Sequence, residues 1–300
     1  MQALTIPWLL VLIIMVTIVC FIKRKWKLSL LLVGVTLVLN WWCECFCFGN
    51  KSFYSGDLKI LSFNIDGDRA YSDNKLATII NIINGEKPDI LFLTENYWTL
   101  ERNLYEQLHK SYPYDTRYMS TNIIYSRYPL SHKSFIYQLN MGSSYIVSCE
   151  ATINGHMIRL FGCHFSSNNY SEDLQYLTPD QVNTFSKMRQ YITNIVKASR
   201  LRLLESDTIV KSFTHDENVI VMGDLNDICG SPVLRKLQNA GLKDAWYLGG
   251  FGYGATVHSP LPYRIDHVLF SDGLELKGIK KIRTESISDH DALLAVFEIK

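Results

Sequence analysis

Two hydrophobic patterns divide the chain. Leu4 to Ile22 holds no charged residue, and as a helix rising about 1.5 Å per residue it nearly crosses a hydrocarbon core of roughly 30 Å. Lys23-Arg24-Lys25-Trp26-Lys27 follows, and Leu28 to Trp42 is again uncharged. Apolar character runs on to Phe48, broken by Glu44 and a few small or polar residues. The pattern predicts a two-helix transmembrane hairpin in residues 1–50, with spans near 4–22 and 28–48. The basic connection belongs on the cytoplasmic side. The remainder, 51–300, is then expected outside the cytoplasm on an integral membrane protein whose first partner is the lipid bilayer. Trp41, Trp42 and Phe46 suit the outer interfacial belt. A cleaved signal peptide is the rival reading, but residues 1–5 carry no basic side chain. Two buried core helices are the other, and the length and uniform apolarity of both runs weigh against them.

From residue 58 the period changes. Leu58 to Asn64 reads as a buried strand, and Leu76, Ile79, Ile80 and Ile83 mark one face of a helix stopped by Gly85 and Pro88. Asp89 to Leu93 is strand-like and ends at Thr94-Glu95; Leu100, Leu104 and Leu108 suggest a second helix. Strand-like runs fill 114–165, with Asn154-Gly155 as a hairpin signal. A long helix is predicted from Thr178-Pro179-Asp180-Gln181, where Thr178 and Gln181 form a capping box. Val219 to Met222 is a strand running into Gly223-Asp224. Ser231-Pro232 starts a helix stopped near Gly241, and strands are predicted near 265–270, 274–282 and 292–299. These βα units and hairpins indicate one layered α/β domain with mixed sheets over residues 51–300.

Composition adds three points. Beyond the first fifty residues 26 basic residues face 28 acidic ones, which gives no footprint for tight non-specific nucleic-acid binding, although one local basic groove would suffice for a nuclease. Seven cysteines show no four-ligand zinc spacing. Cys43-x-Cys45-x-Cys47 reads as small apolar residues at a membrane boundary, ahead of a metal or redox trio; Cys149 and Cys163 read as buried hydrophobes. Gly249 to Gly254 lacks the lysine of a phosphate-binding loop and reads as a mobile aromatic rim. Lys197, Arg200 and Arg202 read as a solvated helix face.

Six strand ends carry polar residues: Asn64, Glu95, His164, Asp224 with Asn226, Asp266 with His267, and Asp289 with His290. Singly, each is an ordinary turn former. Together they point to one sheet edge, where α/β folds build sites. Carboxylates and an amide are hard oxygen ligands for Mg²⁺ or Mn²⁺, and two histidines offer acid–base chemistry.

In order along the chain, Leu61-Ser62-Phe63-Asn64, Leu93-Thr94-Glu95, Ser126-Arg127-Tyr128-Pro129-Leu130, Cys163-His164-Phe165, Gly223-Asp224-Leu225-Asn226-Asp227, Arg264-Ile265-Asp266-His267 and Ser288-Asp289-His290 resemble the endonuclease/exonuclease/phosphatase superfamily. The resemblance spans residues 58–299 and implies a four-layer sandwich of two packed mixed β-sheets flanked by helices. It implies a Mg²⁺- or Mn²⁺-dependent phosphoesterase with Glu95 as the main metal carboxylate, helped by Asn64 and Asp289. It also implies that Asp224 orients the attacking water, Asn226 holds a phosphate oxygen, Asp266 orients His290, and His164 stands near the leaving group. Thr94 departs from the glutamine common before the metal glutamate. The expected substrate is an envelope lipid phosphate or pyrophosphate. A nuclease outside the cytoplasm and a catalytically silent membrane module are the alternatives, and no protein partner is inferred.

Overall fold

The computed structural model describes residues 2–49, 55–67, 72–117, 121–137, 145–168, 184–258, 262–284 and 287–300. The chain starts with two helices, α1 (Gln2–Ile22) and α2 (Trp26–Cys43), joined through Lys23–Lys25 and packed on each other. α2 is long and apolar enough to cross a membrane; the apolar part of α1 found by the same criterion, Trp8–Ile22, is shorter. Then follow β1 (Cys47–Phe48), β2 (Leu58–Asn64), α3 (Asp73–Glu86), β3 (Ile90–Thr94), α4 (Trp98–Leu108), β4 (Tyr114–Asp115), β5 (Ile123–Ser126), β6 (Leu130–Tyr137), β7 (Tyr145–Ile153) and β8 (His156–His164). After α5 (Thr184–Val210) come β9 (Asn218–Asp224), α6 (Pro232–Asn239), β10 (Lys243–Asp244), α7 (Ala245–Gly249), β11 (Phe251–Gly252), β12 (Asp266–Phe270), β13 (Leu274–Ile282) and β14 (Ala292–Ile299). The capping box proposed at Thr178 lies outside the described residues.

Two six-stranded sheets face each other, ordered β13-β14-β2-β3-β5-β4 and β10-β12-β9-β8-β7-β6. Each is mixed: β2–β3 and β8–β9 run parallel, and their other neighbours run antiparallel. The side-chain period of two explains why the strands read as continuous apolar runs. Leu58, Ile60, Ile90 and Phe92 point between the sheets, where they meet Leu160, Ile220, Met222 and Val268. Leu61, Phe63, Leu91 and Leu93 point the other way, onto α3 and α4 through Ile79, Ile83, Leu100, Leu104 and Leu108. Phe161, Val219 and Val221 likewise pack beneath α5 and α6. The layers are therefore helix, sheet, sheet, helix.

Local signals explain most boundaries. Ser72 caps α3 by accepting a hydrogen bond from Lys75 N at 3.1 Å, and Ser231 caps α6 in the same way from Leu234 N at 3.2 Å. Gly85, expected as a stop, lies inside α3; the helix ends at Lys87, which takes the left-handed conformation ahead of Pro88. Asn154 and Gly155 turn β7 into β8, both with positive φ (51° and 82°).

Phe92 fills a narrow point between the sheets. Its ring lies against Gly162 of β8 and Gly223 of β9, where any Cβ would fall inside van der Waals contact with the ring. Gly223 also holds φ +130°. Gly162→Ala should therefore overpack this point and cost about 1–3 kcal/mol, while Phe92→Ala should cost about 3–5 kcal/mol through the cavity it leaves. Thermal unfolding of the two variants checks both values, and Phe92→Leu should partly rescue Gly162→Ala.

Candidate active site

Register assembles the site. His164, Asp224 and Asp266 pair across β8, β9 and β12, and Asn64 pairs with Thr94 on the facing sheet. His164, Asp224, Asp266 and Asn64 each continue the alternation that points Leu160, Met222, Val268 and Ile60 between the sheets. The polar ends of these strands thus share one edge of the sandwich. Glu95 follows β3 with a left-handed backbone (φ 57°), and Asn226 does the same after β9 (φ 49°). Such backbone conformations are sparsely used by non-glycine residues and gather at functional sites.

Asp266 Oδ2 lies 2.8 Å from His290 Nδ1, and His290 Nε2 lies 3.7 Å from Asp224 Oδ2. His164 Nε2 lies 3.9 Å from Asp224 Oδ2 and 3.5 Å from Glu95 Oε1. Asn64 Nδ2 donates to Glu95 Oε1 at 3.0 Å and to Asp224 Oδ2 at 3.3 Å. Its oxygen accepts from Asp66 N at 3.1 Å, which fixes the amide orientation. Asn64 therefore enters the site through nitrogen, where an oxygen ligand was expected. Asn226 Nδ2 donates to Phe165 O at 2.9 Å and its backbone N–H to Asp224 Oδ1 at 2.8 Å, so the residue ties the β8 and β9 loops together. Asp289 is half-buried and close enough to act electrostatically on both Glu95 and His290.

Burial and charge set the ionisation. Burial raises Asp224 to about 6, with His290 opposing and Asp266 adding to the rise. For His290 burial disfavours the cation, but Asp266 and Asp224 outweigh it and lift the pKa to about 10. Burial dominates at His164 and lowers its pKa, so this ring is neutral where His290 is charged. Burial raises Glu95, and Asp66 and Asp289 add like charge against the relief from Asn64 and His290.

That excess of negative charge fits a divalent cation. Asp66 and Asp289 act electrostatically on Glu95, and all three offer the oxygen donors that hard cations prefer. Asp224, Asp266 and His290 also offer ligand atoms within 4.8 Å of one another, the one such group of three among the described residues. There, however, His290 Nδ1 and Asp266 Oδ2 already engage each other.

Ser288 Oγ donates to Asn64 O at 2.7 Å and accepts from His290 N at 3.0 Å, stapling the end of β2 to the turn that leads into β14. Thr94, the departure from the family pattern, donates to Asn122 Oδ1 at 2.6 Å, and Asn122 Nδ2 reaches Tyr145 O. Thr256 Oγ1 accepts from Asp266 N at 3.2 Å. His267, next to Asp266, points to the opposite face; its Nδ1 lies 3.3 Å from Asp244 Oδ2, and its Nε2 3.0 Å from Asp227 O. Lys197 and Arg200 are exposed, but Arg202 is not the solvated residue its sequence neighbours suggest. It is 2% exposed, pairs with Asp227 Oδ2 at 3.2 Å and donates to Ser166 O and Asn168 Oδ1 at 2.9 Å. Glu205, one turn on, accepts from Ser166 N and Oγ. α5 thus grips the loops that follow His164 and Asp224. Its helical period alone offered a hint, since Arg202 lies four residues from buried Ala198.

The profile of the Endonuclease/Exonuclease/phosphatase family matches residues 61–290, from the second half of β2 to His290 itself. The chain belongs to this family. Its members hydrolyse phosphoesters with divalent metals, and the protein is accordingly a metal-dependent phosphoesterase. No curated sequence matches it. Similar solved structures include an endonuclease/exonuclease/phosphatase from Beutenbergia cavernae, with 13% identity and a TM-score of 0.59 over 81% of this chain and 71% of that one. Truncated TDP2 from Caenorhabditis elegans has 20% identity and a TM-score of 0.56, over 80% of this chain and 97% of that one. Beta toxin from Staphylococcus aureus has 17% identity and a TM-score of 0.57, over 80% and 99%. At these identities the likeness concerns the fold.

Two outcomes follow from the geometry. In Asp266→Asn the His290 titration, followed by NMR, should fall by about 1–3 pH units because the nearest carboxylate is gone. Arg202→Met should cost about 3–5 kcal/mol in denaturant unfolding by leaving Asp227 buried without its partner, and the double variant with Asp227→Asn should cost less than the sum.

Proposed function

We propose that this family member hydrolyses a phosphoester carried by a membrane lipid, from a site held at the bilayer surface by its N-terminal helices. The observation that carries this reading is the seating of the α2 exit on the catalytic loop. Asn40 clasps Phe46 through both its amide nitrogen and oxygen, at 2.8 Å each, and bends the chain back after Cys43. Arg235 of α6 donates to Trp42 O at 2.9 Å and covers the Trp42 ring at 3.9 Å. β1 pairs with β11, and Phe46 packs on Tyr253. The glycine-rich segment expected as a mobile rim is paired with the chain leaving α2, Phe46 is half-buried against Tyr253, and Trp42 stays exposed apart from its contact with Arg235. Trp41, Phe48 and Phe251 remain more than 70% exposed, an aromatic group beside the exit suited to a lipid interface. The hairpin of two spans, its cytoplasmic turn and the outward face of residues 51–300 belong to this same proposal.

In the reaction, Asp224 orients the attacking water and takes its proton, its pKa near 6 being suited to a base at neutral pH. His290, held by Asp266, stays protonated and donates to the phosphoryl oxygens as charge builds on them. His164, neutral, serves the leaving oxygen as a hydrogen-bond donor from the facing wall. Asn226, with one amide hydrogen on Phe165 O, has the other for a phosphate oxygen. Mg²⁺ or Mn²⁺ would be held by Glu95 with Asp289 and Asn64 beside it, and when bound it neutralises phosphoryl charge and lowers the pKa of a bound water.

The test is Mg²⁺-dependent hydrolysis by full-length protein in mixed micelles, across lipid monoesters, diesters and pyrophosphates, oligonucleotides and soluble esters. Lipid turnover should lead, and Glu95→Ala or His290→Ala should each lose about 10²–10⁴-fold. Faster turnover of oligonucleotides would move the substrate to nucleic acid, and turnover of the soluble esters alone would take it away from the membrane. The pH profile of kcat/KM should be bell-shaped. Activity falls as pH drops through about 6, where Asp224 gains a proton, and falls again as pH rises through about 10, where His290 loses one.

A further inference from the structure

The anchor exit brings two distant cysteines together. Cys45 and Cys229, 184 positions apart, place their sulfurs 2.9 Å from each other, in hydrogen-bond contact and closer than unbonded sulfurs usually pack. Both are buried, in a small cluster with Leu10 and Cys43 beside Phe46 and Tyr253. Cys229 lies three residues beyond Asn226, on the loop that leaves the catalytic strand. The next residue, Gly230, approaches Cys43 so closely that a Cβ there would sit 3.0 Å from the Cys43 Cα. The geometry of the pair therefore rests on the same docking that seats α2 on the catalytic domain.

A second feature points at the same sulfurs. Arg264 is fully buried, and its Nη1 donates to Asp244 Oδ2 at 2.6 Å. Its Nε and Nη2 have no oxygen or nitrogen acceptor, although a buried guanidinium ordinarily uses all its donors. Its charge acts on Cys229, whose thiol is held below its ordinary pKa first by contact with Cys45 and then by Arg264. A cationic group beside one member of a thiol pair favours the thiolate needed for exchange. Cys43 does not complete a metal site, since no cysteine belongs to a group of three close ligand atoms among the described residues.

We propose that Cys45 and Cys229 form a disulfide that fastens the N-terminal anchor to the rim of the active site. The co-reactant is a small-molecule or protein disulfide. The Cys229 thiolate attacks one of its sulfurs and releases a thiolate. Cys45 then attacks the Cys229 sulfur of the mixed disulfide and releases the second. The two cysteines lose two electrons, and the co-reactant leaves as two thiols carrying both protons. Because both sulfurs are buried in the docked state, the bond closes as the exit segment docks during folding. It covalently fixes the distance between α2 and the loop bearing Asp224 and Asn226. The bond depends on neither the catalytic roles nor the substrate proposed above.

The experiment uses full-length protein in membranes isolated in N-ethylmaleimide, then digested without reductant and mapped by mass spectrometry. A parallel sample is incubated with oxidised glutathione before blocking. A Cys45–Cys229 linked peptide is expected. The Tm measured without reductant should exceed that after reduction by about 5–10 °C, and Cys45→Ser and Cys229→Ser should each abolish that difference. Blocked thiols at both positions in both samples, or linkage of either cysteine to a different partner, would overturn the proposal. Phosphoesterase activity, measured on the same samples, is a separate readout and does not bear on the bond.

Discussion

The close approach of the two sheets at Phe92 is the constraint on which the site depends. One aromatic ring from β3 occupies the gap, and glycines on β8 and β9 let it lie against the backbone. Gly162 stands two residues before His164, and Gly223 stands directly before Asp224. Glu95 follows the ring's own strand by a single residue. The contact that sets sheet separation thus also sets the distance between the wall bearing Glu95 and Asn64 and the wall bearing His164, Asp224 and Asp266. A core packed to the density of a crystal transmits such spacing with little slack.

Onto that frame the protein places an unusual density of buried charge. Asp224, Asp266, His164 and His290 all lie within the sandwich edge, where Asp224 and His290 shift each other's ionisation, as do Asp266 and His290. Burial alone would neutralise every one of them. The Asp266–His290 contact instead keeps one ion pair, leaving Asp224 near the pKa of a useful base. The supporting contacts are correspondingly short and numerous. Ser288 ties the end of β2 to the turn before β14, Thr256 holds the Asp266 backbone, and Arg202 with Glu205 grips both loops from α5. Such contacts hold the side chains of the site in fixed positions.

The N-terminal helices do not end in a loose tether. Trp42, Phe46 and Cys47 contact the catalytic domain at α6, α7, β11 and Tyr253, beside the loop that follows Asp224. This seating relates the axis of α2 to the mouth of the site through hydrogen bonds, packed aromatic rings and a short β-pair.

Much was legible in the sequence because local rules carried it. Strand and helix positions followed from periods of two and 3.6, the caps at Ser231 and the Asn154-Gly155 turn from local hydrogen bonding, and the polar strand ends marked the chemistry. What sequence could not determine was anything that depends on which face meets which. Asp266 and His267 are adjacent, yet only the alternation across β12 sends one to the site and the other to Asp244. Arg202 shares a helix with exposed Lys197 and Arg200, and only the packing of α5 reveals its burial. Asn64 had the right chemistry for an oxygen ligand, and the Asp66 N–H turned its nitrogen inward. Gly249 to Gly254 read as free loop because glycine records permission to bend and not the partner that prevents it. Cys45 and Cys229 have no relation along the chain; long-range docking alone made them neighbours. The sequence by itself determined the elements and the polar residues at the strand ends, since both are local properties. Tertiary structure decided distances, orientation and ionisation, since those arise between residues far apart in the chain.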